Sequence, residues 1–147
     1  MTKYILIIAA LIIGGFLSIQ GSINAQLSSF LKHPLQASLT NFLVGTIVLI
    51  LLNLALRTTI PSFSDMKSIP WYLFLGGVIG ALFVTSVVLL IPQIGVTTML
   101  AASIAGQLII AAIIDHFGFF GVSIHAISMS RVAGIALLIL GIMLIQR

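Results

Sequence analysis

Long apolar runs free of charge alternate with short polar interruptions along this chain, and the interruptions hold nearly all of its charged residues. The stretch "YILIIAALIIGGFLSIQGSINAQLSSFL" predicts a first helix over about 4–31. Further apolar runs predict helices over about 35–56, 71–91, 97–114 and 128–146. At ~1.5 Å per residue these are of bilayer-crossing length. Pro34 opens the second helix and Arg57 closes it; Pro70 stands at the start of the third, and Pro92 is expected just past its end. The fourth is expected to stop at Asp115–His116. The connections "KHP", "RTTIPSFSDMKSIP", "PQIGV" and "DHFGFFGVSIHAI" leave no room for a soluble domain, and short connections make successive helices antiparallel neighbours. The pattern predicts an all-α integral membrane protein, a single transmembrane domain over 1–147 with five spanning helices.

Composition agrees. The 147 residues are 61% hydrophobic and only 5% charged, more apolar surface than a soluble domain of this size can hide. The net charge of +4 rests on six scattered basic residues, so no basic patch exists to follow a phosphate backbone, and nucleic acid is excluded as a partner. With no cysteine, disulfides, lipoprotein anchors, thiolate metal sites and cysteine nucleophiles drop out together. The N-terminal stretch loosely imitates a cleavable signal, but its apolar core is long and Ile23 replaces the small residue expected before a cut at Ala25. It is read as an uncleaved first span. Lys3, Arg57, Lys67 and Arg131 flank one membrane face and Lys32 and Arg147 the other. Four against two favours the N-terminus inside, by a margin small enough to allow insertion in both directions. Trp71 and Tyr72 at the head of the third span, and Phe117, Phe119 and Phe120 after the fourth, read as interfacial anchors.

The chemistry that is left lies in polar residues inside apolar helices. Gln20, Asn24 and Ser28 recur at four-residue spacing and share one face of the first helix. In the fourth, Met99, Ser103 and Gln107 form a stripe near the helix centre, with Gly106 beside it offering close backbone approach. Asn41 in the second helix and Thr85–Ser86 in the third are further candidates. An unsatisfied amide in lipid costs several kcal/mol, so these groups face protein or water. Two readings stand side by side. Buried Asn and Gln can be interhelical hydrogen-bond glue worth ~0.6–2 kcal/mol, with Gly76 and Gly80 allowing tight helix packing. Alternatively, the amides line a shared substrate cavity. No acidic or basic residue lies within a helix core. Asp115–His116, at a helix end, is either a polar terminus at the interface or a gate that titrates near neutral pH. His33, His116 and His125 stand in separate connections and lack metal-ligand spacing, so no metal or other cofactor is expected. "GGVIG" lies mid-helix and reads as packing, and no acid–base or nucleophile pair supports an enzyme.

The polar and glycine positions also carry a likeness. "GGFLSIQGSINAQLSSFLKHPLQASLTNFLVGT", "GGVIGALFVTSVVLLIPQIGVTTMLAASIAGQLIIAAIIDHFGFFG" and "RVAGIALLILGIML" resemble the YdcZ-like family, a five-helix branch of the drug/metabolite transporter superfamily. The resemblance implies a transporter or exporter of the bacterial inner membrane, with Gln20, Asn24 and Gln107 at matching positions. It also implies one half of a ten-helix inverted-repeat architecture. Five spans put the chain ends on opposite faces, so two oppositely inserted copies would share a two-fold axis in the membrane plane, the symmetry used for alternating access. The expectation is a secondary carrier of small polar or amphipathic solutes, embedded in membrane lipid as an antiparallel homodimer. The alternative is a structural or partner subunit paired with an oppositely oriented paralogue.

Overall fold

A computed structural model describes residues 2–145. Gln146 and Arg147, the expected end of the last span, lie outside the described residues. The described residues form helices and turns, with no strand among them. The chain packs as two units, Met1–Gln93 and Ile94–Arg147.

In the first unit, α1 (Thr2–Leu31) is 30 residues long, ~45 Å of helix. It ends where Lys32 adopts the left-handed conformation at φ 57°. His33 then caps α2 (Pro34–Ala55): its Nδ1 accepts the Leu35 N–H at 3.2 Å, and Pro34 fills the first helical position, where no donor is needed. Arg57, just past the end of α2, is also left-handed, at φ 50°. The connection that follows contains an element hydropathy does not announce, the short helix α3 (Phe63–Ser68). Its start is a reciprocal cap: the Ser62 hydroxyl accepts the Asp65 N–H at 3.2 Å, and the Asp65 carboxylate accepts the Ser62 N–H at 3.0 Å. Hydrogen bonds from the Ser62 hydroxyl and backbone hold the Asp65 carboxyl below its ordinary value of 3.8. A 3-10 turn, Trp71–Phe74, leads into α4 (Leu75–Ile94).

The end of α4 differs from the expectation. Pro92 lies inside the helix, which continues to Ile94. Proline removes one N–H and crowds the preceding turn, but its own φ is helical, so a proline close to a helix end need not terminate it. Gly95 is what stops the helix, at φ 80° and ψ 159°, a conformation essentially reserved for glycine. It is the one residue between α4 and the next helix, where the pattern suggested a five-residue connection.

In the second unit, α5 (Val96–Phe117) runs past the expected stop, so Asp115 and His116 belong to its last turn. Gly118 closes it in the left-handed conformation, its N–H bonded to the Ile114 carbonyl. The last helix, α6 (Met129–Ile145), packs beside α5. Four helical segments, Tyr4–Leu31, Pro34–Ala55, Trp71–Ile94 and Val96–Phe117, are long and apolar enough to cross a membrane. With 17 described residues, α6 is the shorter fifth, at ~26 Å a little under a hydrocarbon core of roughly 30 Å. Modest bilayer thinning accommodates such a difference.

The covered face of the first unit mixes small, polar and apolar residues, with Val87, Val88 and Ile91 buried on α4. The covered face of α1 carries Gly21 and Asn24, that of α2 Ala37 and Ser38, while Ile, Leu and Phe cover the outside. Gly21 is where α1 and α4 meet: a Cβ there would lie 2.9 Å from Ile91 Cδ1 and 3.3 Å from Val87 Cγ1. The helices α2 and α4 are joined by the Thr85 hydroxyl donating to Ser38 Oγ at 3.0 Å, while Ser38 donates to the Pro34 carbonyl at 3.1 Å. Lipid tails give apolar side chains no reason to leave the surface, so close packing, here of Gly21 against Val87 and Ile91, and hydrogen bonds hold the helices together.

Candidate functional site

Beyond this contact region, α1, α2 and α4 border a cavity of ≈ 350 Å³. Gln20 reaches it from α1, Asn41 and Thr46 from α2, and Val84 from α4. Two of the carboxamides singled out in the sequence are therefore brought to one space. Asn24, one turn along α1 from Gln20, is 4% exposed, more deeply covered than either. No buried side-chain nitrogen or oxygen among the described residues lacks a hydrogen-bond partner.

The polar groups of the first unit divide by what they bond. The amides of Asn53 and Gln93 donate to carbonyls one turn back on their own helices, at 2.8 and 2.9 Å. The hydroxyls of Thr46 and Ser86 do the same at 2.8 Å each, while the single Thr85 proton is shared between Ser38 Oγ and the Ala81 carbonyl, 2.8 Å away. Such back-bonding satisfies a donor without any partner helix. Gln20 and Asn41 make no side-chain hydrogen bond of this kind among the described residues, which leaves their amides available to the cavity they line.

The other candidates lie in the second unit. The Ser103 hydroxyl donates to the Leu100 carbonyl at 2.9 Å and is half-buried. Gln107 is exposed on α5, one turn beyond it. Asp115 receives Arg131 Nη1 at 3.1 Å, while its backbone carbonyl accepts the His125 N–H at 2.8 Å. His116 Nδ1 accepts the Ile127 N–H at 3.3 Å. Asp115 and His116 thus fasten the connection to α6 against the end of α5. The Asp115–Arg131 pair borders a mostly apolar cavity of ≈ 480 Å³ between the two helices.

Within this one chain, the expected packing glycines Gly76, Gly80 and Gly106 make no close helix approach. A Cβ at Gly76 or Gly106 would meet nothing within 4 Å, and at Gly80 only Phe42 Cζ at 3.8 Å, an ordinary contact. The close approach belongs to Gly21 instead. The sequence offered one signal for it, its place three residues before Asn24 on the same face of α1.

Helices with an apolar exterior, small and polar residues at their contacts, and connections too short for a soluble domain define a multi-pass α-helical membrane protein. Residues 5–144 match the family described as "Putative inner membrane exporter, YdcZ". The chain is also 30% identical over 144 residues to the inner membrane protein YdcZ of Escherichia coli (strain K12), covering 97% of this chain and 95% of that relative. This chain belongs to the YdcZ family of inner-membrane exporters. It is a multi-pass inner-membrane protein of transporter class, as the resemblance in its polar positions implied. No solved structure matches it.

Proposed function

We propose that the protein is a secondary carrier that moves small polar or amphipathic solutes by alternating access, and that Gln20, Asn24 and Asn41 contact the solute. The observation that carries this reading is the cavity shared by Gln20 and Asn41, whose amides are not committed to their own helices. A neutral amide both donates and accepts, so it can replace water around a hydroxyl, amide or amine without a buried charge. Gln107 and Ser103 offer the same chemistry on α5. A screen of the purified protein against a panel of metabolites and amphiphiles should find solutes that raise its melting temperature. Gln20→Leu and Asn41→Leu should fold normally and lose that response. If both variants keep the full shift for every hit, the cavity is not the solute site.

The working unit in this reading is an antiparallel dimer. Gly76 and Gly106 leave flat, open helix faces against which a second copy or an oppositely oriented paralogue can pack. The absence of native cysteine makes this easy to test. A single cysteine at Ser62 should react with an impermeant maleimide from both membrane faces in cells expressing this chain alone. Labelling from one face only would leave the heterodimer and remove the homodimer.

A further inference from the structure

A second cavity, of ≈ 670 Å³, lies where α2 meets the connection to α3, bordered by the stretch from Thr46 to Arg57 and by Thr58 to Pro61. Leu49, Ile50, Leu54 and Ile60 supply its apolar lining, and Arg57 and Thr59 border it at the corner where α2 gives way to the connection, with Thr46, Asn53 and Thr58 also on its walls. From Thr46 to Arg57 the groove climbs ~16 Å along the helix. That is about half of a hydrocarbon core of roughly 30 Å, the depth of one leaflet. Trp71, exposed at the other end of the same connection, marks the level of the membrane interface on this side.

The charge at the corner lacks a counterpart in the chain. Six basic residues face two acidic ones. Asp115 is paired with Arg131, and Asp65 accepts from Ser62 in the α3 cap. Among the described residues no carboxylate reaches Arg57. The carbonyls at the end of α2 favour a cation there but supply only a partial charge. The backbone adds an independent observation. Arg57 occupies a left-handed position, at φ 50°, where glycine would be unstrained. The turn is pinned by the Arg57 N–H to Leu54 at 3.3 Å, the Thr58 N–H to Asn53 at 3.1 Å, and the Thr58 hydroxyl to the Asn53 side chain.

We infer that this groove binds one membrane phospholipid with an anionic headgroup, its phosphate against Arg57 and Thr59 and an acyl chain along Leu49, Ile50 and Leu54. Guanidinium suits this task, since it presents a planar fork of donors to phosphate oxygens and is weakly hydrated. The site stands apart from the carrier reading and holds whether or not Gln20 and Asn41 bind solute.

Native mass spectrometry of the detergent-solubilised protein, titrated with phosphatidylglycerol or phosphatidylcholine, tests it. One basic residue at a membrane surface contributes ≈ 1 kcal/mol toward anionic lipid, so the first phosphatidylglycerol should bind about fivefold more tightly. Arg57→Gly removes the fork while relaxing the left-handed backbone, so the fold is kept and the preference should vanish. Lys67→Ala, which removes a nearby cation seated over the Phe63 ring, should leave the preference intact. Absence of a preference, its persistence in Arg57→Gly, or equal loss in Lys67→Ala would each overturn the assignment. So would displacement of the lipid by millimolar glycerol phosphate, which would mark a site for soluble anions.

Discussion

Replacing Gly21 by leucine is expected to destabilise the first unit by about 3 kcal/mol or more, read as a large drop in melting temperature in detergent. The expectation follows from the α1–α4 contact. A Cβ alone would stand 2.9 Å from Ile91 Cδ1 and 3.3 Å from Val87 Cγ1, and Val87 and Ile91 are themselves buried. Leucine would drive three further carbons into that contact, which can yield only if the helices separate. Gly21→Ala should behave differently. Its methyl needs only a small rotation of the Ile91 terminal carbon, and alanine gains about 1 kcal/mol of helix propensity over glycine, so the two effects nearly cancel. Ile91→Ala in the leucine background should recover part of the loss. A Gly21→Leu protein that melts like the wild type would show that α1 and α4 do not meet here.

The second large effect is expected at Asn24, in function more than in stability. Asn24→Leu keeps the branching of the side chain but removes both donor and acceptor from a position 4% exposed. If the amide serves the solute, the leucine variant should fold with a stability within about 1 kcal/mol of the wild type, because losing an amide that bonds no group of the protein leaves no partner unsatisfied. Solute-dependent flux should fall at least tenfold. The glue reading makes the opposite forecast: stability falls by ~0.6–2 kcal/mol while flux per folded molecule is unchanged. Measuring both in reconstituted vesicles separates the two, and the second pattern would remove Asn24 from the substrate path.

How much of this was visible in the residues varies with the scale of the forces involved. The helices were legible because burying a charge in lipid is so unfavourable that Lys32, Arg57 and Asp65 had to mark connections. The end of α4 was not, because a proline near a helix terminus is compatible both with stopping and with continuing, and Gly95 decides. The helix α3 was overlooked although Ser62 and Asp65 have the spacing of a cap, since a six-residue helix carries no hydropathy signal of its own. Gln20 and Asn41 stood out as amides in apolar helices, and the structure brings both to one cavity. What could not be read was which polar groups bond their own helix. Asn53 and Gln93 are as polar as Asn41, and only the rotamer shows that they donate to a carbonyl one turn back. The glycines were hardest, because composition does not distinguish Gly21, where a Cβ would press on α4, from Gly76 and Gly106, where a Cβ would meet nothing within 4 Å.

That α1, α2 and α4 meet around Gly21, Ser38, Val87 and Ile91 inside lipid has a thermodynamic consequence. Pulling these helices apart within lipid exposes little oily area to water, and it is such exposure that raises the heat capacity of an unfolding soluble protein. Separation of α1, α2 and α4 should therefore carry a near-constant enthalpy, giving a stability that declines almost linearly on warming, with no maximum near room temperature and no cold-induced loss of structure.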